Sequence, residues 1–467
     1  MAESSSISGA PPAGVVGVIA VSRVAPAAAP AAEREGDQII KLSFFDTPWV
    51  ASSPVQLVFL YELPSADDVP AAVRRLKESL AVTLALYLPL AGRLAYVPET
   101  RDVVLDCSDD DALGVAFVEA EGAGGMDVRR LAGDEAHDVT AFNGLVPELD
   151  VAVLPAPVLS VQATRLGGGG LAVGVSVHHA VADGHALARF LHAWASASRE
   201  GSGSPVTESL GRPCYSRQVI VHPRADEFAR ERLHKVAPNL PTVNTRKHDV
   251  TQRLELARRT FYLSADAIRS LKQRINALAS AEAAEASGDK PAVSTFAAVS
   301  ALGWTAFVHS KVLFPGDDTH LPTCARASTL QVDAAYLGNC VRGCLASADA
   351  GDLLSDAGLL RAARAIQAGV REVEAAPLAG LETWLDRVRR LPLPRLANVA
   401  ASPRYRVYEA ADFGFGTPRR VEQVSMSYDG EMVLVGGRGP GEVQLSVSIH
   451  PDCVDAFKAR ILCLTGM

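Results

Sequence analysis

Among the side chains of this 467-residue sequence, His179 stands in the setting most suited to proton transfer near neutral pH, where imidazole titrates. In the run His178-His179-Ala180-Val181-Ala182-Asp183-Gly184 an aspartate follows four residues later, at the start of a segment with helical spacing. A histidine held at a strand end with its ring in a cleft can take a proton from an acceptor hydroxyl and return it to a leaving group. Such assistance contributes roughly 10²–10⁴ in rate. The plainer alternative for His179 is a buried histidine bonded to backbone at a tight turn. Asp183 reads as a helix cap, as the partner of an arginine, or as an orienter of the imidazole, and the cap requires least. His178 points to the opposite side of the strand and reads as structural. Spacing alone decides little, because His222-Pro223-Arg224-Ala225-Asp226 shares it. That second match sits in a charged, proline-containing stretch with no apolar strand before it and no amphipathic helix expected after it.

The elements around His179 are legible from periodicity. Leu171, Val173, Val175 and Val177 alternate as in a strand, and the glycines of 167–170 suit the preceding turn. Beyond Asp183, Leu187, Phe190, Leu191 and Trp194 fall at helical spacing, so the motif is a strand-to-helix turn. Elsewhere, 15–21 has the β-branched density of a strand, and Val73, Leu76, Leu80 and Leu84 mark one face of a helix that Pro89 ends. Ser264 and Ser294 read as caps of further helices. Leu359, Ile366, Val370 and Val373 outline another, and 432–435 with 443–449 form a hairpin around a glycine-rich turn.

A chain of this length exceeds what one core usually serves, so two α/β domains with a cleft between them are expected. Residues 1–14 read as a flexible tail, 15–224 as the first domain and 225–467 as the second, divided within the weakly periodic stretch 200–244. The net charge of −8 argues against capture of a nucleic-acid backbone, which needs clustered cations. The seven cysteines are scattered, without a CxxC pair, so a reducing compartment is expected and no metal site is. No run reaches the ~20 apolar residues of a membrane span, and the start lacks a signal-peptide pattern. A cytoplasmic monomer without membrane or nucleic-acid partners is the simplest expectation.

Further downstream stands Asp412-Phe413-Gly414-Phe415-Gly416. With it, and with Leu42-Ser43-Phe44-Phe45-Asp46 and Tyr87-Leu88-Pro89-Leu90-Ala91-Gly92-Arg93-Leu94, the sequence resembles the plant BAHD acyltransferases, which carry HxxxDG near mid-chain and DFGWG near the C-terminus. The likeness spans nearly the whole chain. It implies two chloramphenicol-acetyltransferase-like domains with mixed sheets and an active-site channel at their interface. Acyl-CoA would enter from one face as co-substrate, with no permanently bound cofactor, and a small-molecule acceptor from the other. It also implies direct transfer: His179 deprotonates the acceptor, which attacks the thioester, and CoA thiolate leaves.

Within that family Tyr336-Leu337-Gly338-Asn339-Cys340 is similar to the YFGNC of members that acylate sugars of flavonoid glycosides, often from malonyl-CoA; the plainer reading of Gly338-Asn339 is a turn. Phe415 stands where the family has Trp, and one extra alanine falls between Tyr408 and Asp412. Thr323-Cys324-Ala325-Arg326-Ala327 departs from the family's DxRxR-like stretch, so Arg326, shifted by one, is the expected partner of Asp183. The likeness assigns Asp412, Gly414 and Gly416 to structural support of the site. For the phosphates of CoA, Lys290 ahead of the helix starting Ser294-Thr295 is a candidate, and Arg419 is another. Alternatives are hydroxycinnamoyl-CoA-dependent O- or N-acyl transfer, a carrier-dependent condensation enzyme sharing HHxxxDG, and a non-catalytic small-molecule-binding homologue.

Overall fold

The structure is a computed structural model that describes residues 16–27, 38–133, 135–200, 210–243, 250–283, 292–327 and 330–466. The expected tail 1–14 and Lys290 lie outside the described residues. Two mixed six-stranded sheets and a smaller four-stranded one carry the described chain. The first large sheet runs β1 (Val16–Val24), β6 (Val115–Gly122), β8 (Leu159–Leu166), β9 (Gly170–Val177), β3 (Val55–Glu62), β14 (Arg420–Gln423). Every residue of β9 is buried, as a central strand covered on both faces requires. It follows β8 antiparallel through a turn in which Gly168 and Gly169 take φ of 70° and 73°, conformations that favour glycine.

Helices α1 (Val69–Leu86) and α2 (Gly184–Glu200) pack together over this sheet, sharing one core in which Leu76, Leu80, Leu84, Phe190 and Trp194 are 0% exposed. The small sheet, β2 (Ile39–Lys41), β5 (Asp102–Asp106), β4 (Arg93–Val97) and β7 (Ala156–Pro157), extends that core. Helix α3 (Ala225–Val236) docks on the turn Thr47–Trp49 and adds Leu233 to the first core. An amphipathic helix therefore does follow His222, contrary to the expectation; the glutamates and arginines among its first turns obscured an apolar stripe of Phe228, Ala229 and Leu233.

The second large sheet runs β10 (Ala257–Leu263), β16 (Val443–Ile449), β15 (Glu431–Gly436), β13 (Asn398–Ser402), β11 (Asp318–Arg326), β12 (Val341–Asp349). Helices α4 (Ala265–Ala283), α5 (Thr295–Ser310), α6 (Gly358–Ala375) and α7 (Val454–Thr465) cover it. The Ser264 and Ser294 hydroxyls accept from Ala267 N and Ala297 N, both at 3.1 Å, so each helix start is capped as the sequence indicated. Helix α5 is buried from Ala297 to Val308 and lies against α6 and α7 as the central helix of a second core. Parallel pairings β13–β15 and β6–β8 sit among antiparallel ones, making both sheets mixed. The architecture is α/β in two parts, and β14 returns from the C-terminal half to pair antiparallel with β3.

Candidate active site

Between the two parts runs a cavity of about 1730 Å³ lined by His179, Asp183, Trp49, Arg326, Ser294, Thr295 and Tyr405, among others. His179 enters it because β9 ends at Val177 and the chain turns before α2 begins at Gly184. Asp183 caps that helix: its Oδ1 accepts from His185 N (3.1 Å) and Ala186 N (3.0 Å). Its Oδ2 faces the other half, accepting from Cys340 N at 3.1 Å and from Arg326 Nη1 at 3.4 Å. Asp183 is 1% exposed, so the guanidinium supplies the counter-charge that a buried carboxylate needs. The motif aspartate thus scaffolds the turn and does not touch the imidazole through any hydrogen bond shown by its side chain.

The backbone carbonyl of His179 accepts from Asn339 Nδ2 at 2.9 Å. The same amide donates to Asp46 Oδ1 at 3.0 Å, and Asn339 N donates to that oxygen at 2.9 Å. Asp46 is 0% exposed; its other oxygen accepts from Ser43 N (2.9 Å), Ser43 Oγ (2.6 Å) and Arg217 Nε (3.0 Å). One carboxylate therefore ties the segment 43–49, the connection at Arg217 and the Asn339 loop to the histidine turn. Three residues beyond Asp46, the Trp49 indole lies flat on the imidazole, with ring centroids 3.9 Å apart and planes 6° from parallel.

His179 Nδ1 is buried without a hydrogen-bond partner, as is Asn339 Oδ1, and His179 is among the residues that line the channel. Burial pushes the His179 pKa down, while its own backbone, Asp183, Asn339 and Asp46 hold it up. The downward shift favours the neutral imidazole, the form a general base requires. His178 is 0% exposed, accepts from Ala180 N through Nδ1 at 3.2 Å, and burial pushes its pKa down to about 3, so it is a neutral core residue.

The remaining sequence candidates fall into three groups. Ser294 and Thr295 line the channel at the start of α5, whereas Arg419 lies outside its lining with Nη2 2.8 Å from Glu62 Oε2. Asp412, Gly414 and Gly416 form a closed turn outside the channel lining: Asp412 Oδ1 accepts from Gly414 N (2.9 Å) and Gly416 N (3.1 Å), and both glycines have φ near +90°. Phe413 wedges between Tyr61 and Trp194, 6.3 and 4.7 Å away centroid to centroid. His222 packs edge-on and tilted against Phe44 and Phe228, and Asp226 pairs with Lys41 at 3.0 Å, so the second HxxxD match makes structural contacts outside the channel lining. Sequence reasoning cited 42–46 and 336–340 only as likeness and did not see that Asp46, Trp49 and Asn339 surround His179. The available signal was an aspartate and a tryptophan inside one short apolar run.

A two-part α/β fold with a histidine in the channel between the parts is the arrangement of an acyl-CoA-dependent acyltransferase. The family profile described as Transferase family matches residues 21–461, and the chain belongs to this family, the BAHD acyltransferases. It is 29% identical over 464 residues to phenolic glucoside malonyltransferase 1 of Arabidopsis thaliana, covering 94% of this chain and 96% of that one. It is also 29% identical over 440 residues to an Arabidopsis thaliana protein named malonyl-CoA:anthocyanidin 5-O-glucoside-6''-O-malonyltransferase, covering 90% and 92%. The crystal structure of vinorine synthase superposes with a TM-score of 0.67 at 18% identity over 96% of this chain and 98% of that one, a likeness of fold. The expected pair of chloramphenicol-acetyltransferase-like domains holds, and the chain is an acyltransferase that takes acyl-CoA as co-substrate and a small molecule as acceptor.

Proposed function

We propose that the enzyme transfers a malonyl group from malonyl-CoA to a sugar hydroxyl of a flavonoid or phenolic glucoside, with His179 as general base. The observation that carries the mechanism is that His179 lines the channel with its Nδ1 buried, and we assign the other ring nitrogen, Nε2, to the acceptor proton. Nε2 takes the hydroxyl proton as the oxygen attacks the thioester carbonyl; the tetrahedral intermediate collapses, the C–S bond breaks, and the proton passes to the departing thiolate. No acyl-enzyme is required. The substrate assignment rests on the YLGNC string and on relatives named for malonyl transfer to glucosides.

In this reading the phosphates of CoA meet the start of α5 at Ser294 and Thr295, where free backbone N–H groups and the helix dipole favour anions. Lys290 just ahead adds a cation, and Arg419, already engaged by Glu62, is the more distant candidate. We take the enzyme as a cytoplasmic monomer whose chain divides near residue 225; seven free thiols support a reducing compartment, and no helix among the described residues is long and apolar enough to cross a membrane. The test incubates purified protein with malonyl-, acetyl- or coumaroyl-CoA and a panel of flavonoid glucosides, reading thiol release and product mass. Malonylated glucoside is the expected product, and His179→Ala should reduce turnover by roughly 10²–10⁴. Undiminished turnover in that variant refutes the base assignment; a ligand-induced thermal shift without turnover favours a binding protein.

A further inference from the structure

We infer that Trp49 is a positioning residue whose indole face holds the His179 ring in place and stabilises its imidazolium form as the acceptor proton is taken. The inference rests on the reading of His179 as general base and names a second participant in that step. Its geometric ground is the stack: 3.9 Å between centroids and 6° between planes leave no room for water on that face of the imidazole. Arrangement of the backbone makes this contact a built one. Trp49 N bonds Asp46 O at 3.0 Å within a single 3-10 turn, Pro48 stiffens that turn, and Asp46 is fixed by Ser43, Arg217 and Asn339. The residue that positions the indole therefore also binds, through Asn339, the carbonyl of the residue the indole covers.

The chemistry needs such a partner. A general base becomes a cation in the transition state, and burial opposes that cation in this channel. The groups facing the imidazole are Trp49 and Asp46 from one side, His178 beside it in the chain, Asp183 from the turn into α2, and Asn339 from the loop before β12. Both carboxylates are already committed, Asp46 to Arg217 and Asp183 to Arg326. His178 stays neutral. The indole face adds to the stabilisation that Asp46, Asp183, Asn339 and the His179 backbone already give, it does so in ring-to-ring contact, and Trp offers the strongest cation–π surface of the aromatic side chains. Stacking also bars the ring rotation that would displace Nε2.

Trp49→Phe keeps a smaller π face, and Trp49→Leu keeps apolar bulk without one. With malonyl-CoA and a flavonoid 3-O-glucoside, the acid limb of kcat/KM against pH should move to lower pH by roughly half to one unit in Trp49→Leu, and by less in Trp49→Phe. Turnover should fall by about tenfold with KM for either substrate changed far less. An acid limb that stays in place or moves up makes the indole a wall only and overturns the inference. A readout independent of turnover uses tryptophan emission, which a protonated imidazole in contact quenches. The emission lost between wild type and Trp49→Phe should titrate with pH, and His179→Ala should abolish that titration. If wild type lacks the titrating component, the inference fails even where the enzyme is active. If the component is present and no glucoside is acylated, the stack stands and the substrate reading fails. Circular dichroism at pH 8 checks that each variant is folded, and Trp49→Phe carries the test if Trp49→Leu is not.

Discussion

Asp183 shows how a single residue divides its two oxygens between jobs. Oδ1 caps α2, and Oδ2 joins the opposite half through Cys340 N and Arg326. In Asp183→Asn the cap survives, but the amide nitrogen that replaces Oδ2 confronts two donors. A destabilisation of about 2 kcal/mol is expected, kept modest because the Arg326 side chain is 25% exposed and screened. The chemical-denaturation midpoint measures it, and kcat should fall as the His179 turn loosens; full stability and activity would show that the pairing contributes nothing. His179 and Asp183 were legible in sequence because a period of two gives way to a period of 3.6 between them. Asp46 and Asn339 were not, because they meet across 293 residues and no local pattern encodes such a contact.

At the scale of elements, the strands and helices that carry His179 follow their apolar patterns closely: β9 spans Gly170–Val177 and α2 Gly184–Glu200. Spacing failed where charge hid the stripe, as in α3, and where partners come from elsewhere, as in β14, whose four residues pair with the distant β3. The DFGFG turn is a case of the second kind. Its aspartate organises two glycine amides, Ser198 Oγ donates to Phe413 O at 2.7 Å, and Tyr61 OH donates to Ala411 O at 2.6 Å, so the turn locks α2 and β3 together. Asp412→Ala releases two hydrogen bonds at a partly solvated site. It should cost about 1–2 kcal/mol in stability while leaving kcat near that of the wild type. Unfolding midpoints and steady-state rates on the same preparation decide the matter, and a stable but inactive variant would assign Asp412 to the chemistry.

At the scale of the whole molecule, a further set of contacts joins the halves at the seam where β14, an edge of the first sheet, meets β10, an edge of the second. Glu422 on β14 accepts from Arg420 Nε (2.8 Å), Thr260 Oγ1 (2.7 Å) and Ser446 Oγ (2.8 Å), and His137 Nε2 lies 2.8 Å from the Thr260 hydroxyl. Arg258 on β10 reaches across to Val424 O at 2.7 Å. Burial opposes the charge on Glu422, yet the neighbouring His137, Arg420 and the Thr260 hydroxyl hold its pKa below the usual carboxylate range. Burial pushes the His137 pKa down to about 3, so this histidine is a neutral hydrogen-bond donor to Thr260, and Arg420 is the charge that matches Glu422. The consequence for pH follows from which state binds protons. An unfolded histidine protonates near pH 6.5, whereas folded His137 and His178 resist until about 3, so acidification across that window favours the unfolded chain. Glu422 acts in the same direction lower down: its contribution is complete above its unfolded pKa and is lost as pH falls through its depressed folded value. Urea midpoints should therefore be level above pH 7 and fall steadily below 6.5. His137→Gln retains a donor for Thr260 but binds no proton, so it should make that fall shallower between pH 6.5 and 4.5, with His178 supplying the rest, while a variant as acid-sensitive as the wild type would place the sensitivity away from the seam.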